Sequence, residues 1–233
     1  MSDIVALSAV FVPPWGGNPA LRFILGVAGA ITIQVLVFYY LLARTSLEGR
    51  NRPITLATWI TIARGSALAL LAGFLFTQPP TGLGWLPAVL FAIAAGLDAV
   101  DGAVARATDS VSEFGGRLDT EIDALTVLCG ALIAVSYGLA PVVFLAVALA
   151  RYTFVAGIAF RRRRGLVVSE LDSSQLRRLF GASAMIAIWI ALLPIPGETI
   201  SWLVTTAVVV PFLVQFSRDW LVVSGRLERP TEQ

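Results

Sequence analysis

The chain has 233 residues, of which 57% are hydrophobic and 14% charged, with a mean hydropathy of +0.82. That balance describes a polytopic membrane protein and leaves no stretch polar enough for a separate soluble domain. A formal charge of +2 is too small for a nucleic-acid binder, the lone Cys129 allows no internal disulfide, and the absence of lysine excludes Schiff-base chemistry.

Residues 1–20 hold Pro13, Pro14, Gly16, Gly17 and Pro19 without the basic cluster of a signal peptide, so they read as an irregular lead. Residues 21–43 are long and apolar enough for a retained transmembrane helix. A polar link with Arg44, Arg50 and Arg52 leads to a second span over residues 54–76, interrupted by Thr58, Thr61 and Arg64. Two readings of these three stand side by side. The threonines bond the backbone one turn back while the arginine snorkels, or this helix start helps hold a nucleotide. An uncharged turn at 78–84 precedes a third span at 85–106, and a link at 109–117 precedes a fourth at 118–137. Pro141 opens a fifth span with Arg151 near its middle, ending in the arginine run 161–164. After a polar connection and Arg177 and Arg178 come a short sixth span, 179–193, and a seventh, 199–216. The tail from Ser217 is mixed, and its last six residues are expected to be disordered.

The arginines orient the whole. The links at 44–52, 106–117 and 161–178 and the tail after 217 hold nearly all of them, and with seven spans these four lie on one side. The expectation is an N-terminus outside, a C-terminus inside and a site facing the cytoplasm from a multi-pass cytoplasmic membrane protein.

Charge inside this apolar chain concentrates at one place, LDAVDGAVARATDSVSEFGGRLDTEID over residues 97–123. Read as helix, Asp98 and Asp101 share one face and Asp119 and Asp123 share a face of the next helix, with Glu121 pointing elsewhere. From Leu83 the rise puts Asp98 roughly 23 Å along a hydrocarbon layer about 30 Å thick. Four carboxylates at one depth repel, so they either carry protons or surround cations, and the second is the better reading. An oxygen-only ligand set in a chain without histidine favours a hard cation, magnesium, manganese or calcium, over zinc. Gly102, Ala105 and Arg106 continue the stripe of the first pair as a smooth surface and a guanidinium. Cations, guanidinium and smooth patch are the parts needed to hold a pyrophosphate and stabilise phosphoryl transfer.

Asp98, Asp101, Gly102, Ala105, Arg106, Gly115, Asp119 and Asp123 fit D-x2-D-G-x2-A-R-x8-G-x3-D-x3-D without a mismatch, so the chain resembles the CDP-alcohol phosphotransferases. The resemblance implies an all-α membrane bundle: a six-helix transferase core over residues 52–233, preceded by a lead and one extra transmembrane helix over residues 1–51. It implies transfer of a phosphatidyl-type group from a CDP-linked lipid to an alcohol, with release of CMP. It assigns Asp98, Asp101, Asp119 and Asp123 to two divalent cations, Mg²⁺ or Mn²⁺, and makes Asp123 also the general base. It gives the CDP-lipid to Asp98, Gly102, Ala105, Arg106, Ser112 and Gly115, with Thr58 and Thr61 of the second span, although Ala57 and Thr58 depart from the family's usual residues there. Membrane lipids and a second copy in a homodimer are the implied partners.

Arg151, costly at mid-span, should face a polar cavity. With Arg177 and Arg178 it forms a candidate site for a phosphate on the acceptor, as in members that use glycerol phosphate or inositol phosphate; the alternative is a structural ion pair. The run 161–164 reads as an interfacial anchor for anionic lipid. A different class of function, a divalent-cation transporter or channel using the same aspartates, stays open at this point. It needs polar groups through the outer half of the bundle, where the third and fourth spans offer little beyond Thr126 and Ser136.

Overall fold

Long runs of alanine, leucine and other apolar residues punctuated by proline and glycine form helices separated by short turns. The computed structural model describes residues 17–47, 56–107, 113–169 and 175–227, and Ser112 lies outside them. Among the described residues there are seven α-helices and no strand: α1 (Pro19–Leu47), α2 (Leu56–Ala72), α3 (Leu86–Ala107), α4 (Glu113–Ser136), α5 (Leu145–Arg163), α6 (Gln175–Leu192) and α7 (Gly197–Val223). Single 3₁₀ turns, Gly73–Leu75 and Val142–Phe144, extend α2 and lead into α5.

Among the described residues, four stretches are long and apolar enough to cross a membrane: Pro19–Arg44, Val142–Arg163, Gln175–Leu192 and Gly197–Val223. The chain is therefore a multi-pass, all-α membrane protein. The uninterrupted apolar parts of the second and third helices are shorter, Trp59–Leu75 and Leu86–Leu97, and the first half of α4 carries Arg117, Asp119, Glu121 and Asp123.

The start of α4 and the end of α7 differ most from the sequence expectation. Helix α4 begins at Glu113, five residues before the expected Leu118. Asp119 thus sits well inside the helix. Helix α7 runs on to Val223 although its apolar stretch ends at Phe216. Asp219 lies within that extension, 8% exposed, accepting hydrogen bonds from Gln215 Nε2 one turn back (2.9 Å) and from Arg177 Nη1 of α6 (3.3 Å). Hydropathy alone ends the helix too early because it cannot foresee a partner on another helix.

Helix α4 is the centre of the bundle, touching α1, α2, α3, α5 and α6. Its second half is built for close approach, with Cys129, Ala131 and Ala134 buried. A Cβ on Gly130 would come within 2.6 Å of both Ile188 of α6 and the Phe91 ring of α3. Small residues are what allow such crossings where no aqueous hydrophobic effect drives helices together. The buried residues Leu71, Phe91, Phe114, Phe144, Ile133 and Ile188 fill the remaining core.

At the end of α4 away from the aspartates, the Tyr137 hydroxyl donates to the carbonyls of Phe74 (3.1 Å) and Thr77 (2.9 Å). Trp202 of α7 donates its indole N–H to the carbonyl of Gly138 (2.8 Å), a residue at φ 74° that closes the helix in the left-handed region. Helix α1 joins the same end of the bundle. A Cβ on Gly26 would meet the backbone at Ala72 O (2.5 Å) and Gly73 Cα (2.9 Å), and Phe23 packs edge-on to Phe74 with centroids 5.0 Å apart. Because the obstruction is backbone, Gly26→Ala must push α1 away from α2. We expect a loss of about 1–3 kcal/mol, read as a lower midpoint of thermal unfolding in detergent micelles. An unchanged midpoint would show that α1 shifts freely.

Candidate functional site

At the other end of α4, Asp119 and Asp123 point from one face toward Arg64 of α2, which also reaches α3. The guanidinium of Arg64, fully buried, donates through Nε to the carbonyl of Ala94 (2.9 Å) and through Nη1 to Asp119 Oδ1, with Nη2 3.6 Å from Asp123 Oδ1. One side chain therefore ties α2 to α3 and α4. The two carboxylates keep 35% and 34% of their side-chain surface exposed, so they neutralise a buried cation on one side and present oxygens outward on the other. Snorkelling, one of the two sequence readings of Arg64, does not describe this arginine.

Helix α3 brings the rest of the signature alongside. Asp98 and Asp101 follow Ala94 by one and two turns of the same helix, and Gly102, Ala105 and Arg106 complete it. The side chains of Asp98, Asp101, Ala105 and Arg106, and that of Thr58 at the start of α2, lie outside those described. Gly115 sits in the first turn of α4, and Thr61, 2% exposed, lies one turn before Arg64. Among the described residues no three acidic, histidine or cysteine side chains converge as a metal site, and two of the four expected ligands are not among them. The donor chemistry nonetheless suits a hard divalent cation: carboxylate oxygens only, on one helix face, partly exposed and close to a third helix that carries two more.

The opposite face of α4 meets α5. Glu121, read from the sequence as pointing away from the aspartate pair, accepts a hydrogen bond of 2.5 Å from Arg151 Nη2. Arg151 and Arg177 line a cavity of 460 Å³ between α5, α6 and α7, with Gln215 and Asp219 as its other polar residues and Phe154, Phe180, Phe212 and Phe216 as aromatic walls. Arg151 and Arg177 are thus brought together, each in an ion pair, whereas Arg178 is exposed beside them. Arg161 closes the turn after α5 by donating to the carbonyls of Val167 and Ser224, and residues 162–164 are exposed.

Sequence reasoning read Arg64 either as a snorkelling interruption of the second span or as part of a helix start that helps hold a nucleotide, and did not place Glu121 or Asp219 in any site. The usable signal for Arg64 was its cost: a mid-helix arginine in an apolar run needs acidic partners, and the only acidic cluster was the signature itself.

Comparison with known proteins gives a family model described as CDP-alcohol phosphatidyltransferase, matching residues 54–214. Archaetidylinositol phosphate synthase of Pyrococcus horikoshii is 56% identical over 41 residues, 18% of this chain and 22% of that protein. The matched stretch thus spans about a fifth of that relative's length. No solved structure matches.

Proposed function

Since the chain belongs to the CDP-alcohol phosphatidyltransferase family, and is an enzyme of that class, we propose that it transfers a substituted phosphate from a CDP-linked lipid to an alcohol phosphate of the inositol phosphate type. The observation that carries this reading is the pair of partly exposed carboxylates, Asp119 and Asp123, held by a buried arginine next to the signature helix.

Formal charge supports the assignment of metals. Four aspartates against Arg64 and Arg106 leave two negative charges, which two divalent cations more than cancel. The two charges of the donor's diphosphate bring the sum to zero. Asp98, Asp101, Asp119 and Asp123 would hold the cations, which when bound supply Lewis-acid polarisation of the phosphate oxygens. Arg106 and the smooth surface of Gly102 and Ala105 hold the CDP moiety, with Ser112, Gly115, Thr58 and Thr61 around it. Arg64 fixes the separation of α2, α3 and α4, so the carboxylates meet the donor preorganised. Asp123 takes the proton of the acceptor hydroxyl as its oxygen attacks the β-phosphorus, and the bond to the oxygen bridging the two phosphates breaks with CMP leaving in line.

Arg151 and Arg177 are the residues for the acceptor's phosphate. Each already holds a carboxylate that an incoming phosphate can replace, and a bidentate guanidinium–phosphate contact is stronger than the single contact each now makes. The name of the Pyrococcus relative points the same way, toward an inositol phosphate. We further propose the six-plus-one arrangement, with residues 1–51 as the addition, the site facing the cytoplasm, and the exposed arginines 162–164 against anionic lipid.

Purified protein given a CDP-linked lipid, inositol phosphate and Mg²⁺ or Mn²⁺ should release CMP, with none in EDTA. Cation flux through proteoliposomes without CMP release would overturn the transfer and favour a transporter. Arg151→Ala should raise the acceptor KM about ten- to a hundred-fold, as expected for one lost charge-assisted contact, and leave the donor KM within about two-fold. Arg163→Ala serves as the control. An unphosphorylated alcohol used as well as inositol phosphate, with indifference to Arg151→Ala, would remove the clamp.

A further inference from the structure

The family match begins at residue 54, so α1 lies outside it, yet α1 forms one wall of a cavity of 590 Å³. The opposite walls are α2 and α4. Helices α1 and α2 meet where Gly26 packs on the backbone of Ala72 and Gly73 and Phe23 lies against Gly73, and Gln34 Nε2 donates to the carbonyl of Gly65 (3.0 Å). Phe38 of α1 meets Phe114 of α4 edge-on, with centroids 5.3 Å apart.

The lining is mainly apolar, Val27, Ile31, Val35 and Ile62 among it. Leu118 and Ile122 line it, and each immediately precedes one of the two carboxylates of α4. Thr61 lines it too, one turn before Arg64. A donor in this reaction joins a diphosphate to hydrocarbon through a few bonds. If the diphosphate sits at Asp119 and Asp123, the hydrocarbon must leave along an apolar surface that starts beside them. We propose that the groove between α1, α2 and α4 holds a hydrocarbon chain of the CDP-lipid donor, so that the added helix sets which chains are accepted. This rests on the transfer reaction above and extends it to a part of the chain that the family match does not cover.

Ile31 and Val35 project into the groove from α1, so Ile31→Trp and Val35→Trp should fill it. The measurement is the ratio of kcat/KM for CDP-dioleoylglycerol to that for CDP-dihexanoylglycerol, with inositol phosphate and Mg²⁺. Excluding a few methylenes from burial should lower this ratio about ten-fold or more. Leu203→Trp, on an exposed face of α7, should leave it unchanged. Equal loss with both donors, or no loss with either, would overturn the proposal. A second arm does not depend on turnover. A CDP-lipid with a mid-chain diazirine is photolysed in the wild-type protein, and adducts within residues 27–39 support the groove while adducts confined to α5–α7 refute it. Failure of CMP release with both donors would count against the transfer reaction, and the cross-linking arm would still decide the groove.

Discussion

Asp119→Asn is expected to lower the rate of CMP release by about three powers of ten or more while leaving the protein folded. Asparagine keeps the shape of the side chain and still offers one oxygen to Arg64, so the tie between α2 and α4 survives in reduced form. What it loses is the negative charge that holds a cation against the transferring phosphate, and that stabilisation is worth several kcal/mol in the transition state, or about a thousand-fold in rate. The dependence on Mg²⁺ should move to higher concentration at the same time. The check is initial-rate measurement over a Mg²⁺ series, with thermal unfolding to confirm the fold. Activity within ten-fold of wild type would take Asp119 out of the reacting centre.

Arg64→Met should damage both fold and function. Methionine is unbranched and apolar and ends at about the level of the arginine Nε, so the Ala94 carbonyl loses its donor and both carboxylates lose the guanidinium. Truncating one partner of a buried pair costs about 3–5 kcal/mol, and the value here should fall toward or below the lower end, because both carboxylates keep a third of their surface in contact with solvent. Added Mg²⁺ should raise the unfolding midpoint of this variant more than that of the wild type, since a cation then takes over part of the guanidinium's role. Turnover should drop at least about a hundred-fold, as expected when reacting groups are displaced by about an ångström. Arg64→Lys should recover little, because an ammonium cannot span a carbonyl and two carboxylates in the plane that the guanidinium uses. A folded Arg64→Met protein with wild-type turnover would reduce Arg64 to a packing residue.

The signature of the candidate site was legible because it is local. Eight residues at fixed spacing put two carboxylates on each of two helices, and the period of the helix alone told Glu121 apart from Asp119 and Asp123. The family match over residues 54–214 agrees with what that spacing implied. What could not be read were the meetings between helices. Arg64 is 30 residues from Ala94 and 55 from Asp119, and the linear pattern says only that a mid-span arginine needs an acidic partner, not which carboxylate or carbonyl it meets. The same holds for Arg151 with Glu121 and for Arg177 with Asp219. Asp219 was hidden further by hydropathy, which ends α7 at the first polar cluster and misses a helix that continues because its buried acid is paired.

The hydrogen bonds of Tyr137 and Trp202 have a mechanical consequence. They fasten α4 to the turn after α2 and to α7 at one end, so relative motion of these helices is angular and grows with distance from that end. From Tyr137 to Asp119 is 18 residues, a lever arm of about 27 Å at the helical rise. A tilt of about two degrees at the fastened end therefore carries the carboxylates through roughly 1 Å, a displacement on the scale that changes rates a hundred-fold. Loosening the far end, as in Tyr137→Phe, is thereby amplified into the position of Asp119 and Asp123, although the hydroxyl removed lies nearly the full length of a helix from them.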